Sequence, residues 1–270
     1  MAVYSEDTHA REIDFHDAWA METAVEDIDV FNFATAPTAL ENRKILDFLG
    51  NISTKRILDV GCGLGEASVF FAKLGAEVTA ADIAPEAVAK TRELALHHAV
   101  KINTEVASGE SLPFNNECFD VVYGGSMIHH LTDIGGFCAE VNRVLRAGGR
   151  FCCFEPLKYN PAINYYRRIA TKVRSKDEKP LGIAEVNAVR NAFGKSEVYF
   201  CWLAALGLFL KYYFIDRVSP NKERYWKKIL RETESSLAWW RPLLYLDEKI
   251  LTRIPGVRWL SWNIVVLCEK

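Results

Sequence analysis

Two groups of residues have the types and spacing that chemistry needs. The first is Leu58-Asp59-Val60-Gly61-Cys62-Gly63-Leu64-Gly65-Glu66, three alternate glycines behind an acid, with Asp82 following 21 residues after Gly61. Glycine at a strand-to-helix turn lets a ligand lie against the backbone, and the helix start offers free N–H donors. The third glycine of a dinucleotide turn, Gly-x-Gly-x-x-Gly, would fall on Glu66, whose carboxylate would face a pyrophosphate. A nucleoside joined to an amino acid, with no phosphates, is tolerated there. Asp82 is spaced to accept hydrogen bonds from both ribose hydroxyls. Together the glycines and Asp82 outweigh the reading of a purely structural turn.

The second group is rich in imidazole. Ser126-Met127-Ile128-His129-His130-Leu131 follows an expected strand, at the carboxyl edge where open α/β sheets bind ligands. His129 is the better general base, with local packing as the competing role for both histidines. Glu155-Pro156 points to the same edge, to meet substrate or to end a strand. His97 and His98 are expected to face solvent. Asn160-Pro161, Tyr165-Tyr166-Arg167-Arg168 and Asp177-Glu178-Lys179-Pro180-Leu181 make a polar, aromatic stretch that can line an acceptor pocket, although such charge runs are usually solvated.

The elements that must hold these groups are legible from Lys55 onward, where short apolar runs alternate with helical patterns, as in a parallel sheet covered by helices. Strands are expected at Arg56–Val60, Glu77–Ala81, Thr104–Ala107, Asp120–Tyr123, Phe151–Phe154, Glu197–Cys201 and Asn263–Cys268. Helices fit Pro37–Leu49, Glu66–Leu74, a segment opened by Pro85, one through Phe137, Val141 and Leu145 that Gly148-Gly149 should stop, and Ala184–Phe193. The expected fold is a Rossmann-like, doubly wound α/β structure: a seven-stranded, mostly parallel sheet with helices on both faces and a C-terminal helical insertion. Its parts are an N-terminal helical lid (1–50), a ligand-binding core (51–201), the insertion or cap (202–262) and a final core strand (263–270).

Composition narrows the partners. Half the 270 residues are hydrophobic and a quarter charged, as in an ordinary globular chain, and the net charge of −2 gives no footing for nucleic acid. Seven cysteines with no Cys-x-x-Cys pair argue against disulfides and a zinc cage, so no metal ligand set is expected. The first fifteen residues lack a basic segment followed by an apolar one, so the expected location is the cytoplasm, at the inner face of a membrane. The membrane enters through the insertion. Residues 202–262 hold six of the seven tryptophans and 11 Lys and Arg against 6 Asp and Glu. Trp202–Leu210 is apolar on every helical face, and Trp226, Ile229, Leu230, Leu237 and Trp240 recur at helical spacing opposite Lys227, Lys228 and Arg231. That pattern fits an interfacial helix, or a cap buried against the sheet or a second subunit.

The motif Leu58–Gly65, together with Ala81-Asp82-Ile83, Glu110-Ser111-Leu112-Pro113-Phe114, Phe119-Asp120-Val121-Val122 and Leu145-Arg146-Ala147-Gly148-Gly149-Arg150-Phe151, resembles the successive motifs of class I methyltransferases similar to the ubiquinone and menaquinone biosynthesis group. The likeness spans residues 40–155. It implies S-adenosylmethionine as cofactor, with Asp59 near the amino group of its methionine part, Gly61, Cys62, Gly63 and Gly65 wrapping that part, and Asp82 on the ribose. Ile83 would cover the adenine, backbone groups of Gly109 and Glu110 would face its edge, and Ser126 would close the cofactor site. The family often carries Asp-Ala-Glu where this chain has Ser108-Gly109-Glu110. In relatives the segment around His16, in Phe15-His16-Asp17-Ala18-Trp19, folds over the cofactor as a lid; a docked amphipathic helix is the competing reading. His129 and His16 are the expected catalytic residues. The expected activity is methyl transfer to a small, lipophilic acceptor such as a quinone, lipid or other hydroxylated compound. The alternatives are an NAD(P)-dependent oxidoreductase, which Glu66 opposes, and a non-catalytic membrane-docking module, which the intact Asp59, glycine turn and Asp82 oppose.

Overall fold

A computed structural model of the chain describes residues 2–172, 174–175, 178–231, 238 and 240–270. Leu237 and Asp177 lie outside the described residues. Seven strands form one sheet: β1 (Arg56–Val60), β2 (Glu77–Asp82), β3 (Ile102–Val106), β4 (Phe119–Gly125), β5 (Leu145–Pro156), β6 (Lys195–Cys201) and β7 (Asn263–Glu269). Their order is β3-β2-β1-β4-β5-β7-β6, with β7 antiparallel to both neighbours and the β1 to β5 pairings parallel. The chain reverses direction across the sheet between β1 and β4, the switch point at which such sheets open a crevice for ligands.

Alternate side chains of the strands serve two cores, because successive residues of a strand point to opposite faces. Ile57, Val121, Tyr123, Cys152 and Val265 pack on one face, and Leu58, Val122, Phe151, Cys153 and Ile264 on the other. The helices are α1 (Ala2–Glu22), α2 (Asn32–Thr35), α3 (Leu40–Leu49), α4 (Glu66–Lys73), α5 (Pro85–His97), α6 (Ile134–Val144), α7 (Pro161–Ile169), α8 (Ile183–Asn191), α9 (Gly207–Leu210), α10 (Tyr225–Leu230) and α11 (Arg241–Lys249). Val69 and Phe71 of α4 and Ile45 of α3 cover the first face; Phe137 and Val141 of α6 and Val189 of α8 cover the second. The expected α/β architecture, with its mostly parallel seven-stranded sheet, is the observed one.

Two local expectations change. Gly148 and Gly149 do not stop a helix: α6 ends at Val144, Leu145 is already extended, and both glycines lie within β5. There Gly148 takes a φ of 70°, and the pairing with β4 jumps from Phe119↔Leu145 to Val121↔Arg150, so the glycines absorb a bulge. The segment expected as an N-terminal helical lid opens with the 21-residue α1. Trp202–Leu210 is helical only from Ala204 onward. Trp202 has a φ of 69°, and the buried carboxylate of Asp247 on α11 accepts the N–H groups of Leu203, Ala204 and Ala205 at 2.7–3.0 Å, capping a run of 3-10, α and π turns that continues to Ile215. Trp202, Ala205, Leu206, Leu208 and Phe209 are buried in the first core, as are Ile229 and Trp240. These residues therefore belong to a cap packed on the sheet and not to a lipid-facing helix.

Candidate active site

At the carboxyl edge of β1, the three glycines take positive φ (70° at Gly61, 54° at Gly63, 90° at Gly65) and fold the chain back toward α4. Gly61 and Cys62 donate to Ala81 O at 2.8 and 3.1 Å, tying the turn to β2. Asp82, at the end of β2, accepts from Gly63 N and Ala84 N, both at 2.9 Å, one on each oxygen. Each oxygen keeps a second lone pair for a ligand. Asp59 is fully buried and accepts from Ser68 Oγ at 2.5 Å. Burial pushes its carboxyl up to about 7, with Asp82 and Glu66 adding to the rise and Ser68 opposing it.

Past β4, Ser126 sits at a φ of 59° and starts the turn that carries the histidines. Glu155, wholly buried at the end of β5, organises that turn: Oε1 accepts from Met127 N and Ile128 N at 2.9 and 2.7 Å, and Oε2 lies 2.7 Å from His129 Nδ1. Burial pushes Glu155 up to about 8 against these backbone donors, and pushes His129 down to about 3, helped by the nearby Arg174 and Arg167. With Nδ1 engaged, Nε2 is the remaining ring nitrogen, the arrangement in which a carboxylate orients a working imidazole. Lys179 N donates to His129 O at 2.8 Å, so the stretch after α7 is strapped across this turn.

Helix α1 roofs the site. Asp17 accepts from Glu86 N at the start of α5 (2.8 Å), and Trp19 is stacked under Arg224 at 4.0 Å and meets Trp226 edge-on. The insertion reaches the glycine turn directly, through Lys227 to Glu66 at 3.1 Å.

One cavity of about 430 Å³ runs through all of this. Of the residues expected to act, Asp59, Gly61, Cys62, Gly63, Asp82, Ile83, Gly109, Ser126, His129 and His16 line it. Gly65 and Glu110 do not. A Cβ on Gly65 would meet Thr91 of α5 at 2.8–3.0 Å, so this glycine serves helix packing. The Glu110 carboxylate faces away and accepts from Thr132 N and Asp133 N, both at 2.7 Å. Glu155 is likewise off the wall, acting through His129. Sequence reasoning passed over Glu12, Arg174, Arg224 and Ser68. The signal available for Glu12 was its spacing of four from His16, which on a helix puts both on one face. Tyr245 and Lys249 stand at the Tyr-x-x-x-Lys spacing of an oxidoreductase proton-donor pair, but they lie on α11, off the cavity wall, with Tyr245 64% exposed.

The comparisons with known proteins agree with this geometry. A family model described as a methyltransferase domain matches residues 58–153, from β1 into β5. Over those residues the chain is similar to a methyltransferase domain, the class whose cofactor is S-adenosylmethionine, and to the domains of the ubiquinone group. It is 38% identical to a ubiquinone biosynthesis O-methyltransferase of Xanthomonas oryzae over 37% of this chain and 42% of the relative. It is 24% identical to a sterol 4-C-methyltransferase of Caenorhabditis elegans over 55% of this chain and 48% of the relative. The match thus spans less than half the length of either. Among solved structures, the chain seen with the Trm112 methyltransferase activator of Haloferax volcanii superposes with a TM-score of 0.59 at 16% identity, over 94% of this chain and 96% of that one. That last likeness concerns the fold.

Proposed function

We propose that this protein transfers the methyl group of S-adenosylmethionine to a small, lipophilic acceptor bearing a hydroxyl, such as a quinone-like phenol or a lipid. The observation that carries the reading is the charge of the cavity's inner end. Asp59 and Asp82 flank the glycine turn, while Glu66 at its end is paired with Lys227; the two aspartates favour a ligand carrying a sulfonium and an ammonium over a pyrophosphate. Asp59 faces the ammonium, Asp82 holds the ribose, Ile83 and Gly109 flank the adenine, and Ser126 closes the cofactor site. The methyl is already activated, so alignment of oxygen, carbon and sulfur does most of the work. His129, oriented by Glu155, takes the hydroxyl proton, and α1 with His16 excludes water from above.

The lipophilic character of the acceptor is supported by Phe15, Trp19, Leu131, Phe154 and Trp226 around the outer end and by the names of the quinone and sterol relatives. The test is a screen of phenols, quinols and sterols with isotopically labelled cofactor, alongside calorimetry with S-adenosylhomocysteine. Binding of the demethylated cofactor with label moving to a phenol or sterol hydroxyl is the expected result. Absence of cofactor binding removes the whole reading; binding with transfer only to polar, water-soluble acceptors removes its lipophilic part.

A further inference from the structure

We propose that Glu12, His16 and His130 form a binding site for one divalent cation of the borderline class, such as zinc, manganese, iron(II) or cobalt, beside the acceptor end of the cavity. Sequence reading offered no metal set, because it looked to cysteines. These ligands come instead from two segments far apart in the chain. Glu12 and His16 are one turn apart on α1, and His130 lies on the turn after β4. Glu12 Oε2 lies 2.8 Å from His130 Nδ1 and 3.5 Å from His16 Nε2, with all three donor atoms within 4.8 Å of one another. Metal bonds of ~2.0–2.2 Å set neighbouring donors ~2.9–3.5 Å apart on an octahedral or tetrahedral shell.

Glu12 Oε2 and His130 Nδ1 are both buried and, although 2.8 Å apart, neither has a hydrogen-bond partner among the described residues. A buried carboxylate oxygen and a buried imidazole nitrogen held this close, with a second imidazole beside them, are a set that one cation can bridge. An outer partner is present as well, since Ser175 Oγ donates to the other oxygen of Glu12. Two imidazoles and one carboxylate select borderline divalent ions over calcium or magnesium, and leave coordination positions open. Glu178, which groups separately with His129 and His130 on the cavity side, is paired with Arg174.

The site stands on this ligand geometry and does not depend on methyl transfer. Only its use rests on the proposed function: an ion there would bind the acceptor oxygen and make its proton easier to remove. The experiment is a Co²⁺ titration of untagged, chelator-treated protein with neither cofactor nor acceptor present, read by the visible ligand-field absorption of bound cobalt. Expected are saturation at one ion per chain, displacement by Zn²⁺, and affinity weakened by at least about tenfold in Glu12→Gln and in His130→Asn. His97→Asn, on the exposed end of α5, should leave binding unchanged. Circular dichroism reports whether each variant is folded. Should the buried Glu12 or His130 variant fail to fold, His16→Asn, which is partly exposed, decides. The site is refuted if the wild-type protein shows no saturable cobalt binding, or if folded variants bind as tightly as wild type.

Discussion

Asp59 and Asp82 end neighbouring strands, yet their surroundings give them different work. Asp82 is held by two backbone N–H groups, whereas Asp59 is buried with one hydroxyl for company and is pushed up to about 7. A cofactor ammonium beside Asp59 favours the ionised form, so binding should release a proton, and S-adenosylhomocysteine should bind more tightly as pH rises from 6 to about 7 and level off above. Calorimetry in buffers of different ionisation enthalpy measures that proton, and Asp59→Asn should abolish it. In the free protein the same shift has the opposite sign for stability: the fold favours protonated Asp59, so stability from this group is lost as pH rises from ~4 through about 7. Asp82→Ala removes hydrogen bonds to a charged acceptor worth ~1.5–3 kcal/mol. It should weaken cofactor binding by roughly ten- to a hundredfold, and a folded variant of unchanged affinity would contradict the ribose role. The places of both aspartates were legible in sequence because each stands at a fixed spacing from the glycine turn. Glu12 was not. A glutamate four residues before a histidine is ordinary on a solvated helix, and only the fold brings His130 to it.

The elements that carry the glycine turn are legible for a related reason: β1, α4, β2 and α5 follow one another with short connections, so local pattern and tertiary neighbour coincide. Gly65 shows where that closeness acts. Its φ of 90° and the Thr91 atoms within 3.0 Å of a Cβ, including the backbone Cα, leave no room for a side chain, while Gly63 has nothing within 4 Å. Gly65→Ala should therefore cost at least about 2 kcal/mol, or roughly 4–8 °C in Tm for a chain of this size. Gly63→Ala should cost only about half as much, from its positive φ alone. Equal losses in thermal denaturation would contradict the packing role. What escaped sequence reading lies outside this repeating unit. The run Trp202–Leu210 has the composition of an apolar helix, but its helical part starts only at Ala204, where Asp247, more than forty residues away, accepts the first N–H groups. Helix α1 has no strong apolar stripe of its own because it rests on α5 and the cavity rim and not on the sheet. The Gly148-Gly149 pair carries a stop signal that a bulge inside β5 satisfies equally well.

Across the whole molecule, charge and exposed apolar surface are unevenly shared. The insertion has five more basic than acidic residues and the remainder seven more acidic than basic. Its inner side chains are committed to the core, but Leu210, Phe214 and Ile215 stand 53%, 67% and 74% exposed. Phe214 and Ile215 lie on the π-helical turn Lys211–Ile215, with Leu210 just before it, beside Arg217 and a Lys211 that pairs with Asp216 at 2.7 Å. Among the described residues no helix is long and apolar enough to cross a membrane, so a membrane role would be docking on the surface. An apolar tip ringed by basic groups has the chemistry for this, the rings and aliphatic chains entering the headgroup layer while the cations meet anionic lipid. Burying Phe214 and Ile215 contributes ~1.5–3 kcal/mol each, so their joint replacement should be decisive. The wild-type protein is expected to sediment with phosphatidylglycerol vesicles at low salt, less at high salt, and weakly with phosphatidylcholine alone. Phe214→Asp with Ile215→Asp should leave it in the supernatant without changing its melting temperature or its affinity for S-adenosylhomocysteine. If the wild-type protein stays in the supernatant with anionic vesicles at low salt, the tip is not a membrane surface. The insertion is then only the roof that joins Lys227 and Arg224 to the cofactor end of the cavity.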